Sequence, residues 1–332
     1  MNFAIVGCGR IGQKRARALQ VCGHRIRALA DVVKERAEHL SIECPEAVPS
    51  TDWRCAVSRS DIDAVAVATT NQWLAPVTLA AVRAGKHVIV EKPAGRSVSE
   101  IAEVAAASAQ ASVCVQVGFN HRYHPAVQKA RETVDSGALG SLFVVRGRYG
   151  HGGRVGYEKE WRANPEISGG GELIDQGVHL IDLARWFLGD FTHIEGHVHT
   201  YFWKMPVDDN AFLSLRTAAG QTAWLHASST EWKNLFSFEI YGRNGKLEIN
   251  GLGGSYGTER LAYYEMLPQM GPPPTTIWEY PMADDSWQSE FQDFLEDVRL
   301  GRQPDPGIAA AQASLRVVET VYAKAKKPLS CA

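Results

Sequence analysis

The sequence has little excess charge of either sign, because 35 Lys and Arg residues are balanced by 37 Asp and Glu residues, giving a formal net charge of −2 over 332 residues. Proteins that bind along nucleic acid need a basic surface, which neutralises phosphates and releases counterions. The near balance therefore argues against nucleic acid as a partner. A local excess of cations could still bind a small anion.

The sequence also predicts neither a membrane-spanning segment nor a secretion signal. The longest uncharged runs, 64–82 and 104–121, each contain several polar residues and are typical of a strand with a helix. In the first residues, MNFAIVGCGR, no basic segment precedes the apolar run, which favours a buried strand over a signal peptide. We therefore expect no membrane partner.

Cysteine pairs at metal-binding or redox spacing are missing too. The six cysteines include no C-x-x-C motif, which argues against a zinc ribbon or a redox pair. An even number of cysteines in a chain of this length does not imply a disulfide framework, so we expect free thiols and a cytoplasmic protein.

The first 118 residues alternate short apolar runs with helical segments. Apolar residues lie on both faces of the runs, as expected for parallel strands that are covered by helices on each side. This order predicts the α/β class and a Rossmann-type, doubly wound parallel sheet in a domain over residues 1–119. The predicted strands are 3–6, 26–30, 64–68, 88–90 and 113–117, and the predicted helices are 10–22, 33–40, 72–84 and 99–110, the last with a capping box at 97–100.

After about residue 120 the pattern changes, which predicts a second α/β domain over residues 120–332 with a large, open, mainly antiparallel sheet. Because helices can cover one face of such a sheet and leave the other bare, we expect a homodimer or homotetramer formed through it. The predicted elements are a strand at 142–149, a loop at 150–170, strands between 192 and 280 with turns at 219–220 and (type I′) 244–245, and helices at 124–136, 172–188, 286–300 and 308–324, the last ended by Lys326-Lys327-Pro328.

A glycine-rich motif follows the first predicted strand and opens the first helix. Gly7, Gly9 and Gly12 form G-x-G-x-x-G, which allows a tight turn, close approach of a pyrophosphate and close helix–strand packing at a helix N-terminus. Asp31 ends the second strand, where a carboxylate can accept hydrogen bonds from the adenosine ribose. The pattern predicts NAD as cofactor, with NADP as the alternative because Arg36 lies nearby and could bind a 2′-phosphate.

Three ionisable residues stand at places where chemistry is expected. Lys92 lies just after the predicted strand 88–90, at the edge where doubly wound sheets bind ligands, although a surface lysine is also common there. Asp175 and His179 are four residues apart on an otherwise apolar helix and so share a face. This pair fits a structural ion pair or core histidine, half of a metal site, or an acid/base pair. No third ligand is evident, so we predict no metal.

The segment between residues 119 and 162 has eight Lys and Arg residues but only four Asp and Glu residues. This excess fits an anionic substrate such as a nucleotide sugar, a sugar phosphate or a uronic acid. The same cations could instead serve cofactor phosphates or an interface between subunits. His121, His124 and His151 add possible donors, and Tyr157 lies in a glycine-rich loop from which it could contact the substrate.

Together these motifs resemble the Gfo/Idh/MocA (glucose–fructose oxidoreductase, inositol dehydrogenase, rhizopine catabolism) oxidoreductases over nearly the whole chain. The resemblance implies a hydride transfer between a nicotinamide cofactor and a carbinol or keto carbon of a sugar or cyclitol. It rests on Asp31 and on GCGRIG at 7–12, ATTN at 68–71, AGKHVIVEKP at 84–93, VGFNHRYHP at 117–125 and GGGELIDQGVHLIDLARWFLG from 169.

The resemblance also implies roles for individual residues. Lys92, Asp175 and His179 would line the reacting hydroxyl, with His179 as the base and Lys92 stabilising negative charge on the oxygen. Arg122 and Tyr157 would contact the substrate as well. The implied cofactor contacts are Gly7, Gly9, Arg10, Ile11, Gly12, Asp31, Thr69, Asn71, Glu91, Lys92, Asn120, Trp161 and Arg162. Thr70 and Leu74 stand where the family commonly has proline and histidine, which bears on the cofactor contacts of that loop.

Other functions stay open on this scaffold. A redox-neutral lyase or hydrolase could use a tightly held NAD, and an inositol dehydrogenase is an alternative within the dehydrogenase class. A regulator that senses the nucleotide without chemistry would keep the fold alone. The intact set of Lys92, Asp175 and His179 argues against that regulator.

Overall fold

The computed structural model describes residues 1–269 and 271–325, and these divide into two compact units. The first unit consists of residues 1–119, 166–169 and 287–315. The second consists of residues 120–165, 170–286 and the described residues from 316 onward. Within the described part of the chain, no helix has the length and hydropathy needed to cross a membrane.

The secondary structure comprises strands and helices whose bounds lie close to those that the sequence predicts. The strands are β1 (Asn2–Val6), β2 (Arg25–Ala30), β3 (Val48–Ser50), β4 (Ala64–Val67), β5 (His87–Glu91), β6 (Val115–Gly118), β7 (Leu142–Gly150), β8 (Phe191–His199), β9 (Asn210–Thr217), β10 (Thr222–Ser228), β11 (Leu235–Gly242), β12 (Gly245–Asn250), β13 (Glu259–Glu265) and β14 (Thr275–Tyr280). The helices are α1 (Arg10–Val21), α2 (Lys34–Glu43), α3 (Trp53–Val57), α4 (Asn71–Arg83), α5 (Val98–Ala111), α6 (Pro125–Asp135), α7 (Pro165–Ser168), α8 (Val178–Leu188), α9 (Ser286–Leu300) and α10 (Ile308–Ala325).

Six parallel strands form the sheet of the first unit in the order β3-β2-β1-β4-β5-β6. This confirms the predicted doubly wound sheet. The strand order reverses between β1 and β4, which is the switch point where such sheets bind ligands beyond their carboxyl ends. The sequence pattern missed β3 and α3, because elements of three and five residues are too short for periodicity to reveal.

Helix α9 belongs to the first unit, although the predicted boundary at residue 119 assigns it to the second domain. Phe291 and Phe294 are fully buried in the same core as Phe3, Leu19 and Leu29. The apolar spacing along a helix shows that one face is buried, but it does not show which core that face packs against. The sequence therefore could not predict that the chain comes back to the first unit at α9.

The second unit contains an eight-stranded sheet in the order β14-β13-β12-β11-β7-β10-β9-β8. Only β7 and β10 pair in parallel, and the other neighbours are antiparallel, which confirms the mainly antiparallel prediction. Helix α8 packs on one face of this sheet. A Cβ built on Gly147 of β7 would lie 3.0 Å from side-chain atoms of Leu180 on α8 and of Phe238 on β11.

The hairpin of β11 and β12 differs in detail from its prediction. The structure pairs Gly242 with Gly245, so the connecting residues are Arg243 and Asn244, one position earlier than predicted. Neither of them has a positive φ, so the predicted type I′ turn is wrong. The N–H of Asn244 donates to Leu139 O (2.9 Å), a contact from outside the hairpin that a local turn pattern does not include.

The structure also bears on the predicted start of α5 and the predicted end of α10. At the start of α5, Ser97 Oγ accepts from the N–H of Glu100 (3.2 Å), as the predicted capping box requires. The carboxylate of Glu100 instead accepts from Arg96 N–H (2.7 Å). Helix α10 runs to Ala325, and the predicted stop at Lys326-Lys327-Pro328 lies outside the described residues.

Candidate functional site

The glycine loop after β1 contains glycines of two kinds. A Cβ on Gly7 would lie 2.3 Å from Ala68 O, and one on Gly12 would lie 1.8 Å from Gly7 O, so the fold itself requires both. Gly9 has a φ of −71°, and a Cβ there would meet nothing within 4 Å. The space beside Gly9, at the N-terminus of α1, is therefore free for a pyrophosphate, which fits a dinucleotide.

Asp31 lies beside this loop at the end of β2. Its Oδ2 accepts from the N–H of Cys8 (2.8 Å), and its Oδ1 accepts from the N–H of Val33 (2.9 Å). Each carboxylate oxygen can still accept a further hydrogen bond from a ribose hydroxyl. Arg36 lies 4.0 Å from Oδ1, and 58% of its side chain is exposed. The carboxylate that would favour NAD and the guanidinium that could bind the 2′-phosphate of NADP therefore lie next to each other.

Glu91 ends β5 and Lys92 follows it, and their side chains differ in environment. Glu91 is buried and accepts from Arg15 Nε (2.8 Å), while Glu290 of α9 binds the same guanidinium. Burial raises the pKa of Glu290 to about 7, although the charge of Arg15 opposes the rise. Lys92 is half-buried, in a turn that is closed by the Ala94 N–H and Glu91 O (2.9 Å). Because the carboxylate of Glu91 is already bound by Arg15, its contact with a cofactor stays a prediction.

The remaining predicted cofactor residues of the first unit cluster at two helix starts. Arg10 and Ile11 begin α1, with Arg10 exposed. Thr69 precedes α4, and Asn71 begins it. Asn71 is buried and donates to Ser168 O (2.8 Å), which is a structural use of its amide. Their contacts with a cofactor stay predictions.

The predicted helix from residue 172 begins as a π-helical turn, Leu173–Gly177, before α8. Asp208, distant in sequence, caps this start by accepting from the N–H groups of Leu173 (2.8 Å) and Gly171 (3.1 Å). A Cβ on Gly171 would lie 2.0 Å from Asp208 O, and one on Gly170 would lie 2.2 Å from Tyr322 Oη. The glycines therefore allow the backbone to pack against Asp208 and Tyr322 of the same unit.

Asp175 lies in the π turn and is paired with Arg162. Arg162 Nε donates to Asp175 Oδ2 (2.9 Å), and its guanidinium lies over the ring of Trp161, 4.5 Å from the centroid. Burial alone would lower the pKa of Arg162, but the charge of Asp175 raises it. The predicted Trp161–Arg162 pair is thus anchored to a predicted catalytic carboxylate.

His179 follows on α8 and is stacked on a second imidazole. Its ring lies 3.8 Å from that of His121, with 15° between the planes, and both residues are buried. Tyr149 of β7 contacts His121 edge-on, with centroids 4.9 Å apart. Burial raises the pKa of Tyr149 well above its ordinary value, and nearby Tyr256, Asp175 and Glu172 add to the rise.

A buried carboxylate that sequence reasoning missed completes this group. Glu172 is 1% exposed and lies three residues before Asp175. Tyr157 Oη donates to Glu172 Oε1 (2.7 Å), and His151 Nε2 lies 3.5 Å from the same oxygen. A glutamate directly after three glycines and before an apolar helix was the signal that could have revealed it.

Two further predicted residues have partners within the second unit. Arg122 forms a buried ion pair with Asp182 (2.6 Å), and Asn120 Nδ2 donates to Ser286 Oγ (3.1 Å). Their predicted roles at substrate and cofactor are untested. Among the described residues there is no cluster of three or more His, Cys, Asp or Glu side chains suited to a metal ion.

The amino-acid sequence matches family models on both sides of residue 120. Residues 1–119 match the oxidoreductase family with an NAD-binding Rossmann fold, and residues 127–248 match the GFO/IDH/MocA C-terminal domain. The chain belongs to the Gfo/Idh/MocA oxidoreductase family. The first unit is accordingly an NAD-binding Rossmann domain, and the chain is an NAD(P)-dependent oxidoreductase.

Characterised members of the Gfo/Idh/MocA family are similar to this chain along much of its length. Levoglucosan dehydrogenase of Pseudarthrobacter phenanthrenivorans is 29% identical over 228 residues, which are 60% of this chain and 58% of that one. scyllo-Inositol 2-dehydrogenase (NAD(+)) of Bacillus subtilis is 28% identical over 317 residues, covering 92% of this chain and 88% of that enzyme. The chain thus spans somewhat more than half of one relative and most of the other.

Solved structures support the same fold. A levoglucosan dehydrogenase in complex with NADH and levoglucosan superposes with a TM-score of 0.89, covering 98% of this chain and 97% of that chain at 23% identity. At this identity the likeness establishes the Gfo/Idh/MocA fold and nothing finer.

Proposed function

We propose that the chain is an NAD-dependent dehydrogenase that oxidises a secondary hydroxyl of a neutral sugar or cyclitol. The observation that carries the choice of a neutral substrate is the charge balance around Asp175. Arg162 matches the charge of Asp175, whereas buried Glu172 forms no ion pair with a Lys or Arg side chain among the described residues, so an anionic substrate beside it would meet an unmatched like charge.

The cations that favoured an anionic substrate have other partners. Seven of the eight Lys and Arg residues between 119 and 162 form ion pairs with carboxylates of their own unit. The pairs are Arg122–Asp182, Lys129–Glu132, Arg131–Asp135, Arg146–Glu239, Arg148–Glu231, Arg154–Glu160 and Arg162–Asp175. Because three of these carboxylates lie beyond residue 180 and one is Asp175, counting charges between 119 and 162 overstates the net charge. A nucleotide sugar, sugar phosphate or uronic acid therefore loses its main support.

The roles of this chain's residues follow from their chemistry. Bound NAD would supply the hydride acceptor for the carbinol carbon. Gly9 and the N-terminus of α1 would hold its pyrophosphate, and Asp31 its ribose. An imidazole nitrogen of His179 takes the hydroxyl proton, and the ammonium of Lys92 donates a hydrogen bond to the same oxygen. Asp175 keeps Arg162 in place and balances the positive charge that forms on His179.

A substrate screen tests this function. The wild-type protein with NAD⁺ would be given cyclitols, free and anhydro sugars, uronic acids, sugar phosphates and nucleotide sugars, with NADH absorbance as readout. We expect NADH from a neutral class, and loss of the signal in Lys92→Ala. NADH only from an anionic class would overturn the substrate proposal, whereas product without NADH would favour redox-neutral chemistry.

We also propose a homodimer or homotetramer formed through the open sheet of the second unit. Trp224 of β10 is 60% exposed, and its neighbours Ala223 and Leu225 point to the buried face, so Trp224 lies on the opposite face. Burial of such a surface in a partner copy is favourable. Light scattering of the wild type and of Trp224→Glu tests this, and a monomeric wild type would contradict it.

A further inference from the structure

Glu172 is a buried acid for which the mechanism above has no use. It stands between the glycines at 169–171 and the π turn Leu173–Gly177, and its side chain is nearly inaccessible to water. Burial of a carboxylate is costly unless hydrogen bonds or charges compensate for the lost hydration. We therefore expect each carboxylate oxygen of Glu172 to have a hydrogen-bond partner.

One oxygen, Oε1, is held by the glycine-rich loop at 150–157. Tyr157 Oη donates to it (2.7 Å), and His151 Nε2 faces it at 3.5 Å. His151 Nδ1 accepts from the N–H of Gly153 (2.9 Å), so the ring proton resides on Nε2, directed at Glu172. Gly153 has a φ of +64°, and a Cβ there would lie 2.3 Å from the ring of Trp203. The loop is thus fixed in the shape that directs both donors at Oε1.

The other oxygen, Oε2, is buried and has no hydrogen-bond partner among residues 1–269 and 271–325. Asp175, three residues on, is itself negative and bound to Arg162, so it does not supply a donor in its ionised form. Each buried acceptor in a folded protein is expected to find a donor. Protein atoms cover this oxygen in the structure, so a ligand must uncover it on binding. A ligand hydroxyl that reached it would satisfy it, whereas a ligand carboxylate or phosphate would be repelled by it.

We infer that Glu172 is a specificity-determining residue whose Oε2 accepts a hydrogen bond from a second hydroxyl of a neutral polyol substrate, distinct from the hydroxyl that loses its proton to His179. This inference rests on the proposed dehydrogenase function. A site built to hydrogen-bond a hydroxyl discriminates strongly against analogues that lack it, because its polar group is then left unpaired. Glu172 would thereby select neutral polyols over uronic acids and deoxy analogues.

The test compares Glu172→Gln with the matched variant Tyr157→Phe. Glu172→Gln keeps the size of the side chain but removes its charge, whereas Tyr157→Phe removes a donor to Oε1 and leaves Oε2 intact. For the neutral polyol found in the screen, we expect Glu172→Gln to raise KM and the calorimetric Kd of the NADH-bound protein by about tenfold or more. The kcat and the Kd for NAD should change by less than about threefold, and Tyr157→Phe should raise KM less than Glu172→Gln does.

The selectivity ratio separates substrate recognition from a purely structural role. Glu172→Gln should shift the ratio of kcat/KM for the neutral polyol over the matching uronic acid toward the acid, whereas Glu172→Asp, which keeps the charge, should retain the neutral preference even where Glu172→Gln fails to fold. Wild-type KM, Kd and selectivity in folded Glu172→Gln would overturn the inference while leaving the dehydrogenase function standing. A wild type that makes no NADH from any compound would instead contradict the proposed function, and calorimetry would still show whether Glu172 binds polyols.

Discussion

The two units present their functional groups in different ways. In the first, the proposed cofactor site depends on backbone shape, since Gly7 and Gly12 allow close packing and Gly9 leaves room for a ligand. In the second, the proposed site is made of side chains from separate segments, including His121, Tyr149 and Glu172. Substitutions in the glycine loop of the first unit should therefore change packing, and with it stability, or the affinity for the cofactor. Those in the second should act through charge, hydrogen bonding and turnover.

The largest expected effect is on turnover, in His179→Ala and Lys92→Ala. His179→Ala removes the proposed base and Lys92→Ala removes the proposed hydrogen-bond donor to the reacting oxygen. In each variant kcat should fall by about 10²–10⁴-fold, while the Kd for NAD⁺ changes little. Steady-state rates and calorimetry measure the two quantities. The exposed residues His39 and Lys34 of α2 provide matched alanine controls. Equal losses in rate and NAD⁺ affinity would contradict the assigned roles.

The glycine loop offers a sharper test of the contrast between units. Gly12→Ala places a methyl group 1.8 Å from Gly7 O and should cost several kcal/mol of unfolding free energy or prevent folding. Gly9→Ala meets no protein atom and should unfold at the wild-type temperature, yet bind NAD⁺ about tenfold or more weakly. Thermal unfolding and calorimetry measure both outcomes. A Gly9→Ala protein with wild-type affinity would show that the cofactor does not approach this turn.

The stability of the first unit should depend on the ionisation of Glu290. Its pKa of about 7 lies above the ordinary 4.5, so the folded protein keeps a proton that the unfolded chain loses between these values. The free energy of unfolding should therefore fall as pH rises from about 4.5 to above 7. Glu290→Gln should flatten this decline and gain on the order of 1–3 kcal/mol at pH 8.

Denaturant unfolding at several pH values measures the effect of Glu290→Gln. Glu296→Gln, in the same helix but exposed and paired with Arg299, is the control and should keep the wild-type slope. An unchanged slope in Glu290→Gln would mean that Glu290 is ionised throughout this range.

The smallest expected effect concerns the choice of cofactor. Asp31→Asn keeps an acceptor near the N–H of Cys8 but removes the charge that repels a 2′-phosphate. We expect the Kd for NAD⁺ to rise about tenfold and that for NADP⁺ to fall, with Arg36 as the phosphate partner. Calorimetry with both nucleotides tests this, and Arg36→Ala in the same background should reverse the gain in NADP⁺ affinity.

The two units also differ in how much of each could be predicted from the sequence, because local patterns are visible there and contacts between distant residues are not. The parallel strands, the glycine motif and Asp31 are encoded by short-range patterns, and the structure has them where the sequence predicted. These features depend on residues a few positions apart, whose geometry the strand, helix or turn fixes. The predicted common face of Asp175 and His179 assumed one regular α-helix, whereas the structure has Asp175 in the π turn and His179 in α8, so that face stays a prediction.

The features that sequence reasoning missed depend on contacts between distant residues. The donors of Glu172 lie 15 and 21 positions earlier, and its capping neighbour Asp208 lies 35 positions beyond Leu173. The cations that suggested an anionic substrate are matched by carboxylates as far away as Glu239. A count of charges along a segment cannot include partners that only the fold brings near.

The central claim is that the chain oxidises a neutral polyol with NAD⁺. The most direct measurement is product analysis by mass spectrometry after incubating the wild type and NAD⁺ with an equimolar mixture of cyclitols, sugars, uronic acids and sugar phosphates. The account predicts that a neutral compound loses two hydrogens and that an equal amount of NADH forms. Conversion of an anionic compound, or loss of water without NADH, would contradict it.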